Sequence, residues 1–306
     1  MSKGIVLALG AGSARGLAQI GVIEVLVREK IPIRAVVGTS IGAEIGGFLA
    51  AGISIDTMIR LGTKLDWLQT MRLFAPDFSG AGITTGKGIQ TYLQPYLGDK
   101  KIEKLDVGYA AIATDLVSGN EVVIRQGNLL DAVRASISLP GILSPVRLEN
   151  RILVDGGLVN PVPFDTARDI FSGPVLAVAT HPRALPSDYD DQRQTPEWEQ
   201  RLDELLRHPW TKKLPYVQQW LRGFRQNKGD FTQFSNLGIS DVFNKSLHIS
   251  AHAIVCLRER LNPPDLMIAP EVRQIGMLEF YRGREAIAAG RKAAELALPK
   301  IRSLLI

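Results

Sequence analysis

The stretch Val36-Val37-Gly38-Thr39-Ser40-Ile41-Gly42 limits the possible folds of this chain more than any other. A β-branched run ends in Gly-x-Ser-x-Gly and passes at once into a Gly/Ala-rich segment, residues 41–51. That is the form of a nucleophile elbow, a strand turning sharply into a helix with a serine on the turn. The serine backbone is strained there, so the residues two positions to either side must be small, and Gly38 and Gly42 are. The five-residue string alone is common. A strand before it and a helix after it make Ser40 a candidate nucleophile.

The elbow needs a sheet around it, and the flanking sequence supplies one. Ile5 to Leu9 reads as a buried first strand, followed by a glycine-rich turn and an apolar helix over about 17–30, with Ile20, Ile23, Leu26 and Val27 at helical spacing. Further strands are expected at 107–114, 121–125, 152–154 and 175–180, with helices near 57–68, 88–97 and 129–138 and one opening after Asn160-Pro161-Val162-Pro163. From Ile239 the helical period returns in a long helix that Pro263-Pro264 ends. A late strand at 265–270 and a last helix over about 278–298 follow. Alternation of this kind predicts an α/β fold in three layers, a mostly parallel central sheet with helices on both faces. The whole chain, 1–306, reads as a single domain. Residues 183–238 form a helical or irregular insertion, a lid or an interfacial segment, and 239–306 complete the domain.

The turn Gly10-Ala11-Gly12-Ser13-Ala14-Arg15-Gly16 gathers backbone N–H groups at the positive end of a helix, which suits an anion. Two uses are open. A dinucleotide pyrophosphate site expects an acidic residue closing the second strand, and that strand closes on the serine elbow instead. An oxyanion hole fits the elbow better.

Bulk properties narrow the class. The chain has 306 residues, 45% hydrophobic and 22% charged, which is ordinary for a globular α/β protein. One cysteine, Cys256, excludes a disulfide framework and a cysteine-rich metal site. The run after Met1-Ser2-Lys3-Gly4 is too short for a signal core, and no apolar stretch approaches the roughly 20 residues of a membrane span. A cytoplasmic protein is expected, with peripheral membrane contact kept open. The net charge of +5 favours anionic partners such as acidic lipid surfaces or nucleic acid. The segment 183–238 adds Trp198, Trp210 and Trp220 among basic residues, which suits either an interfacial segment or a solvated lid.

A serine hydroxyl needs a base within hydrogen-bond reach. Four histidines are available: His181 after a strand, His208 in the insertion, and His248 and His252 one turn apart on a helix. Asp155 is the other candidate. It closes a strand, as Ser40 does, and strand ends of a parallel sheet share one edge. Gly156 and Gly157 after it permit close approach. Asp155 could equally cap the turn that follows it.

Taken in order, Gly10 to Gly16, Gly38-Thr39-Ser40-Ile41-Gly42 and Asp155-Gly156-Gly157 resemble the patatin-like phospholipase family. Thr114-Asp115-Leu116 and Ala135-Ser136 with Pro140 resemble that family's internal signatures, and the likeness spans about residues 4–180 and, more weakly, the tail from Asp265 to Gly290. It implies a Ser–Asp dyad without histidine, Ser40 as nucleophile and Asp155 as general base. It also implies an oxyanion hole of N–H groups around Gly10, Ala11, Gly12 and Ser13. Ala11 and Ser13 stand where the family often has glycine, and both are small and keep an N–H. Arg15, beside Gly16 at the mouth of the loop, suits a phosphate headgroup or a packing role.

The function implied is a lipid acyl hydrolase that cleaves fatty-acyl esters through an acyl-enzyme, with no metal or cofactor and no nucleic-acid partner. A serine acyltransferase, or a membrane-surface binding protein with a vestigial site, are the alternatives. The oligomeric state is left open.

Overall fold

A computed structural model describes residues 4–75, 77, 82–180 and 239–305. The segment 183–238, residues 78–81 of the loop before Ile83, His181 and His208 lie outside the described residues. The chain divides into two compact units, Met1–Arg183 with Ser250–Ile306, and Ala184–Ile249. Of the second unit the described residues are 239–249, the first part of a helix.

Eight strands form one sheet: β1 Ile5–Leu9, β2 Ile33–Thr39, β3 Gly108–Asp115, β4 Glu121–Ile124, β5 Val146–Leu148, β6 Arg151–Asp155, β7 Val175–Val178 and β8 Leu266–Ile268. Their order is β5-β6-β3-β2-β1-β7-β8, with β4 also on β3. The run β3-β2-β1-β7-β8 is parallel, whereas β4 and β6 lie antiparallel to β3. The expected α/β sheet is therefore present, mixed at one end and parallel through the rest.

That end positions the site. β3 pairs with β2 up to Ile112, with β4 from Ala111 to Thr114, and with β6 from Ala113 to Asp115. A strand has only two edges, and β4 overlaps both of the others, so β2 and β6 must share the edge opposite β4. They approach along it from opposite directions and end on adjacent residues of β3, Thr39 opposite Ile112 and Asp155 opposite Ala113. The common parallel-sheet edge expected for Ser40 and Asp155 is thus not what joins them. Their strands meet end to end.

Helices cover both faces. They are α1 Ala18–Arg28, α2 Ile41–Ala50, α3 Ile55–Lys64, α4 Trp67–Leu73, α5 Lys87–Leu97, α6 Leu129–Ser136, α7 Phe164–Ile170, α8 Ile239–Leu261 and α9 Gly283–Ser303. Side chains alternate across a strand, so Ile5, Leu7 and Leu9 face one core with α1, α2, α3, α5, α6 and α9. Val6 and Ala8 face a second core with Phe164 and Ala167 of α7 and Val255 of α8. Local chemistry starts several helices: the Asn128 side chain accepts the Asp131 N–H before α6, and Asp66 forms a capping box with Gln69 before α4. Val27, placed on the apolar stripe of α1 by its spacing, is exposed. Among the described residues no helix is long and apolar enough to cross a membrane.

The last helix clamps the first. α1 and α9 approach at backbone distance, and a Cβ added to Gly290 would stand 1.8 Å from the Ala18 carbonyl oxygen. Ion pairs Arg291–Glu24 (2.8 Å) and Arg28–Glu295 (3.0 Å) flank this contact. Gly290→Val therefore has to push the helices apart, and chemical denaturation should show a loss of about 1–3 kcal/mol, the usual range for overpacking.

Candidate active site

Ser40 sits between β2 and α2 at φ 56°, ψ −127°, a conformation that is strained for a serine. The turn closes only because its neighbours lack side chains. A Cβ at Gly38 would lie 2.3 Å from the Gly42 oxygen, and one at Gly42 would lie 2.1 Å from the Leu9 oxygen. The Ser40 N–H donates to Ser136 Oγ (2.9 Å), and the Ser136 hydroxyl donates to the Ile112 carbonyl (2.5 Å). Ser136 thus ties the elbow to β3 where β2 stops.

The Ser40 hydroxyl donates to Asp155 Oδ2 at 2.6 Å, across 115 positions of sequence. The other carboxylate oxygen, Oδ1, accepts the Gly157 N–H at 2.7 Å. The Asp155 backbone is held as well: its N–H donates to the Ser138 carbonyl (3.0 Å) and its carbonyl accepts the Thr114 hydroxyl (2.8 Å). Gly156 lies against β3, where a Cβ would stand 2.3 Å from the Ile112 oxygen. Burial pushes the Asp155 carboxyl up to about 6, against the lowering effect of its bonds to Ser40 and Gly157.

The glycine loop lies beside this pair. Two of its N–H groups serve the fold: Gly10 donates to Val178 (3.0 Å) and Ala11 to Pro161 (2.8 Å). The N–H groups of Gly12 and Ser13 have no acceptor among the described residues. Gly16 packs on Ile41, and a Cβ there would lie 2.1 Å from the isoleucine side chain. Arg15 is tethered by its Nε to the Ile275 carbonyl at 2.6 Å. Burial lowers its pKa, and Glu279 opposes that shift.

A cleft opens over Ser40. Its polar lining residues are Ser13, Ser40 and Glu44; the others are apolar, among them Ile41, Phe74, Ile89, Ile137, Leu143 and Phe280. Arg134 braces one wall, its guanidinium donating to Ser138 Oγ (2.6 Å), Thr85 O (2.7 Å) and Ser144 O (3.0 Å). Phe74, just past the end of α4, supplies part of the apolar wall. Asp115 is not part of it; its carboxylate accepts from Val117 and Ser118 in the β3–β4 turn.

The sequence reading did not single out Glu44, Leu278 or Phe280. Glu44 had a signal, as the lone acid in the otherwise apolar and small run of α2. Leu278 and Phe280 had none, since they arrive from the far end of the chain. His252 lies elsewhere, in a smaller cleft with Val162, Val255 and Cys256. His252 does not line the Ser40 cleft, and no metal-binding group of three His, Cys, Asp or Glu side chains occurs among the described residues.

Comparison with known proteins gives the family of the chain. The patatin-like phospholipase family model matches residues 7–168. An uncharacterized NTE family protein of Mycobacterium tuberculosis is 30% identical over 332 residues, covering 97% of this chain and 92% of that protein. The mouse patatin-like phospholipase domain-containing protein 7 is 34% identical over 179 residues, 57% of this chain and 13% of that protein. Among solved structures, VipD from Legionella pneumophila matches with a TM-score of 0.46 at 14% identity, over 97% of this chain and 67% of that one. The chain belongs to the patatin-like phospholipase family.

The raised Asp155 pKa has a consequence for stability. The folded chain holds this proton to higher pH than the unfolded chain, so the contribution of Asp155 is most favourable below about pH 4. It is lost as pH rises through about 6. Asp155→Asn, neutral and nearly isosteric, should be more stable than the wild type above pH 6, by up to about 3 kcal/mol. Urea unfolding at stepped pH should show that gap closing toward pH 4.

Proposed function

We propose that this chain is a serine lipid acyl hydrolase, an esterase of the phospholipase A or lysophospholipase kind, acting through Ser40 and Asp155. The observation that carries the reading is the 2.6 Å hydrogen bond between Ser40 Oγ and a buried Asp155 carboxylate at the head of an apolar cleft. Family membership supports lipid hydrolysis as the general activity.

Ser40 Oγ attacks the ester carbonyl carbon while its proton passes to Asp155 Oδ2. A base with a pKa near 6 is largely ionised at neutral pH and still a useful proton acceptor. The tetrahedral oxyanion is met by the free N–H groups of Gly12 and Ser13 and by those in the first turn of α2. Gly10 and Ala11, whose N–H groups are engaged, contribute by fixing the loop. Asp155 returns the proton to the leaving alcohol. It then takes a proton from the water that attacks the acyl-enzyme, releasing the fatty acid and restoring Ser40.

The apolar cleft suits the acyl chain, and the net charge of +5 favours an anionic lipid surface as the place of work. No step in this scheme needs a metal or organic cofactor.

A fluorophosphonate probe should label the wild type at Ser40, and Ser40→Ala should abolish both labelling and ester turnover, by about 10⁴-fold or more. Equal labelling of the variant would sink the assignment. The rate should follow ionisation of Asp155, so kcat/KM rises with pH through about 6 and then levels, and Asp155→Asn removes that limb along with most of the activity.

A further inference from the structure

Glu44 has no role in the chemistry proposed for Ser40, yet it lies inside the same cleft. It follows Ser40 by four residues, and its N–H donates to the Ser40 carbonyl (3.2 Å) in the first turn of α2. That bond places Glu44 one helical turn, about 5.4 Å of axial rise, beyond Ser40, and both side chains line the cleft. Ser13 and Ser40 stand at the reacting centre, which leaves Glu44 as the polar group among the walls that would flank an acyl chain.

No hydrogen bond or ion pair engages the Glu44 carboxyl among the described residues. Burial first, and the charge of Glu44 second, push the phenols of Tyr92 of α5 and Tyr109 of β3 further from ionising, and the Tyr109 hydroxyl is committed to the Ala43 carbonyl (2.8 Å). Burial lifts the carboxyl itself to about 7, so near neutral pH it is available both to donate and to accept. An unsubstituted alkyl chain filling the cleft would strip water from this group and give nothing back, which disfavours binding. A substrate oxygen at the same depth would restore the lost hydrogen bond.

We propose that Glu44 is the acyl-selectivity residue of this site, and that the preferred acyl group carries a hydroxyl hydrogen-bonded to the Glu44 carboxyl, about five carbons from the ester carbonyl, a length close to the rise of one helical turn. The inference rests on the hydrolase reading of Ser40 and Asp155 and adds the class of acyl chain.

A matched pair of methyl esters, octanoyl and 6-hydroxyoctanoyl, tests it, with the acid product measured by mass spectrometry. The wild type should favour the hydroxylated ester by about 10-fold or more in kcat/KM, as sites built to bond a substrate hydroxyl do. Glu44→Gln, which keeps hydrogen-bonding capacity, should retain most of that preference. Glu44→Leu and Glu44→Ala should lose it, and Glu44→Leu should gain on the plain octanoyl ester.

A wild-type ratio at or below one overturns the inference, as does a ratio unchanged in the Leu or Ala variant. Fluorophosphonate labelling of the wild type separates the two levels. Labelling at Ser40 with no hydroxyl preference removes only the role of Glu44. A folded wild type that neither labels nor cleaves either ester removes the hydrolase reading and this inference together.

Discussion

One edge of β3 carries the site. β2 and β6 run toward each other along it and stop on neighbouring residues, Ile112 and Ala113. Where two strands stop head to head, the carbonyl between them loses its ladder partner, and buried backbone groups are seldom left unpaired. Here the Ser136 hydroxyl bonds the Ile112 carbonyl and in turn accepts the Ser40 N–H. The repair of a break in the sheet is therefore also what anchors the elbow. Asp155 reaches Ser40 because its own strand ends at the other side of the same break.

This geometry leaves no room for side chains at the junctions. Gly42 lies against the end of β1, Gly38 against the first turn of α2, and Gly156 against β3. Each replaces a side-chain contact with a backbone contact, which leaves little freedom of position in a close-packed interior. The clamp of α9 on α1 extends the same device to the glycine loop, because Ala18, the residue Gly290 meets, follows directly on the 3₁₀ turn Ser13–Leu17. The 2.6 Å bond between Ser40 and Asp155 is thus held by strand register and backbone packing on all sides.

What could be read from the sequence follows from how local each signal is. β1, β2, the elbow and α2 are announced within a few residues of themselves, and α8 is ended by Pro263-Pro264 as its spacing predicted. The direction of β6 was not legible, because Arg151 to Asp155 has the same pattern whichever way it runs. Its direction is set by a hairpin with β5, closed by the two residues between Leu148 and Arg151. Such loops favour Asn-Gly, since positive φ is needed. This one has Glu149-Asn150, with Glu149 at φ 54°, so the usual signal is missing and β5 goes unseen with it. The cleft wall is harder still. Leu278 and Phe280 reach Ser40 only through the complete tertiary fold, and no spacing rule connects them.

The two acids near Ser40 show how environment separates like groups. Asp155 is buried and Glu44 half-buried, and desolvation raises both, but Asp155 keeps two donors, the Ser40 hydroxyl and the Gly157 N–H, and settles at about 6. Glu44 has no such donors and reaches about 7. Hydrogen bonds to the charged form hold the first acid ready to act as a base at neutral pH. Their absence leaves the second half-protonated and in need of a partner. That carboxyl is half-exposed and reaches solvent through the open cleft, so an apolar group that displaces the solvent leaves it without a partner. Ser40 and Glu44 line the same cleft, so a group that enters it to reach the serine also meets this carboxyl.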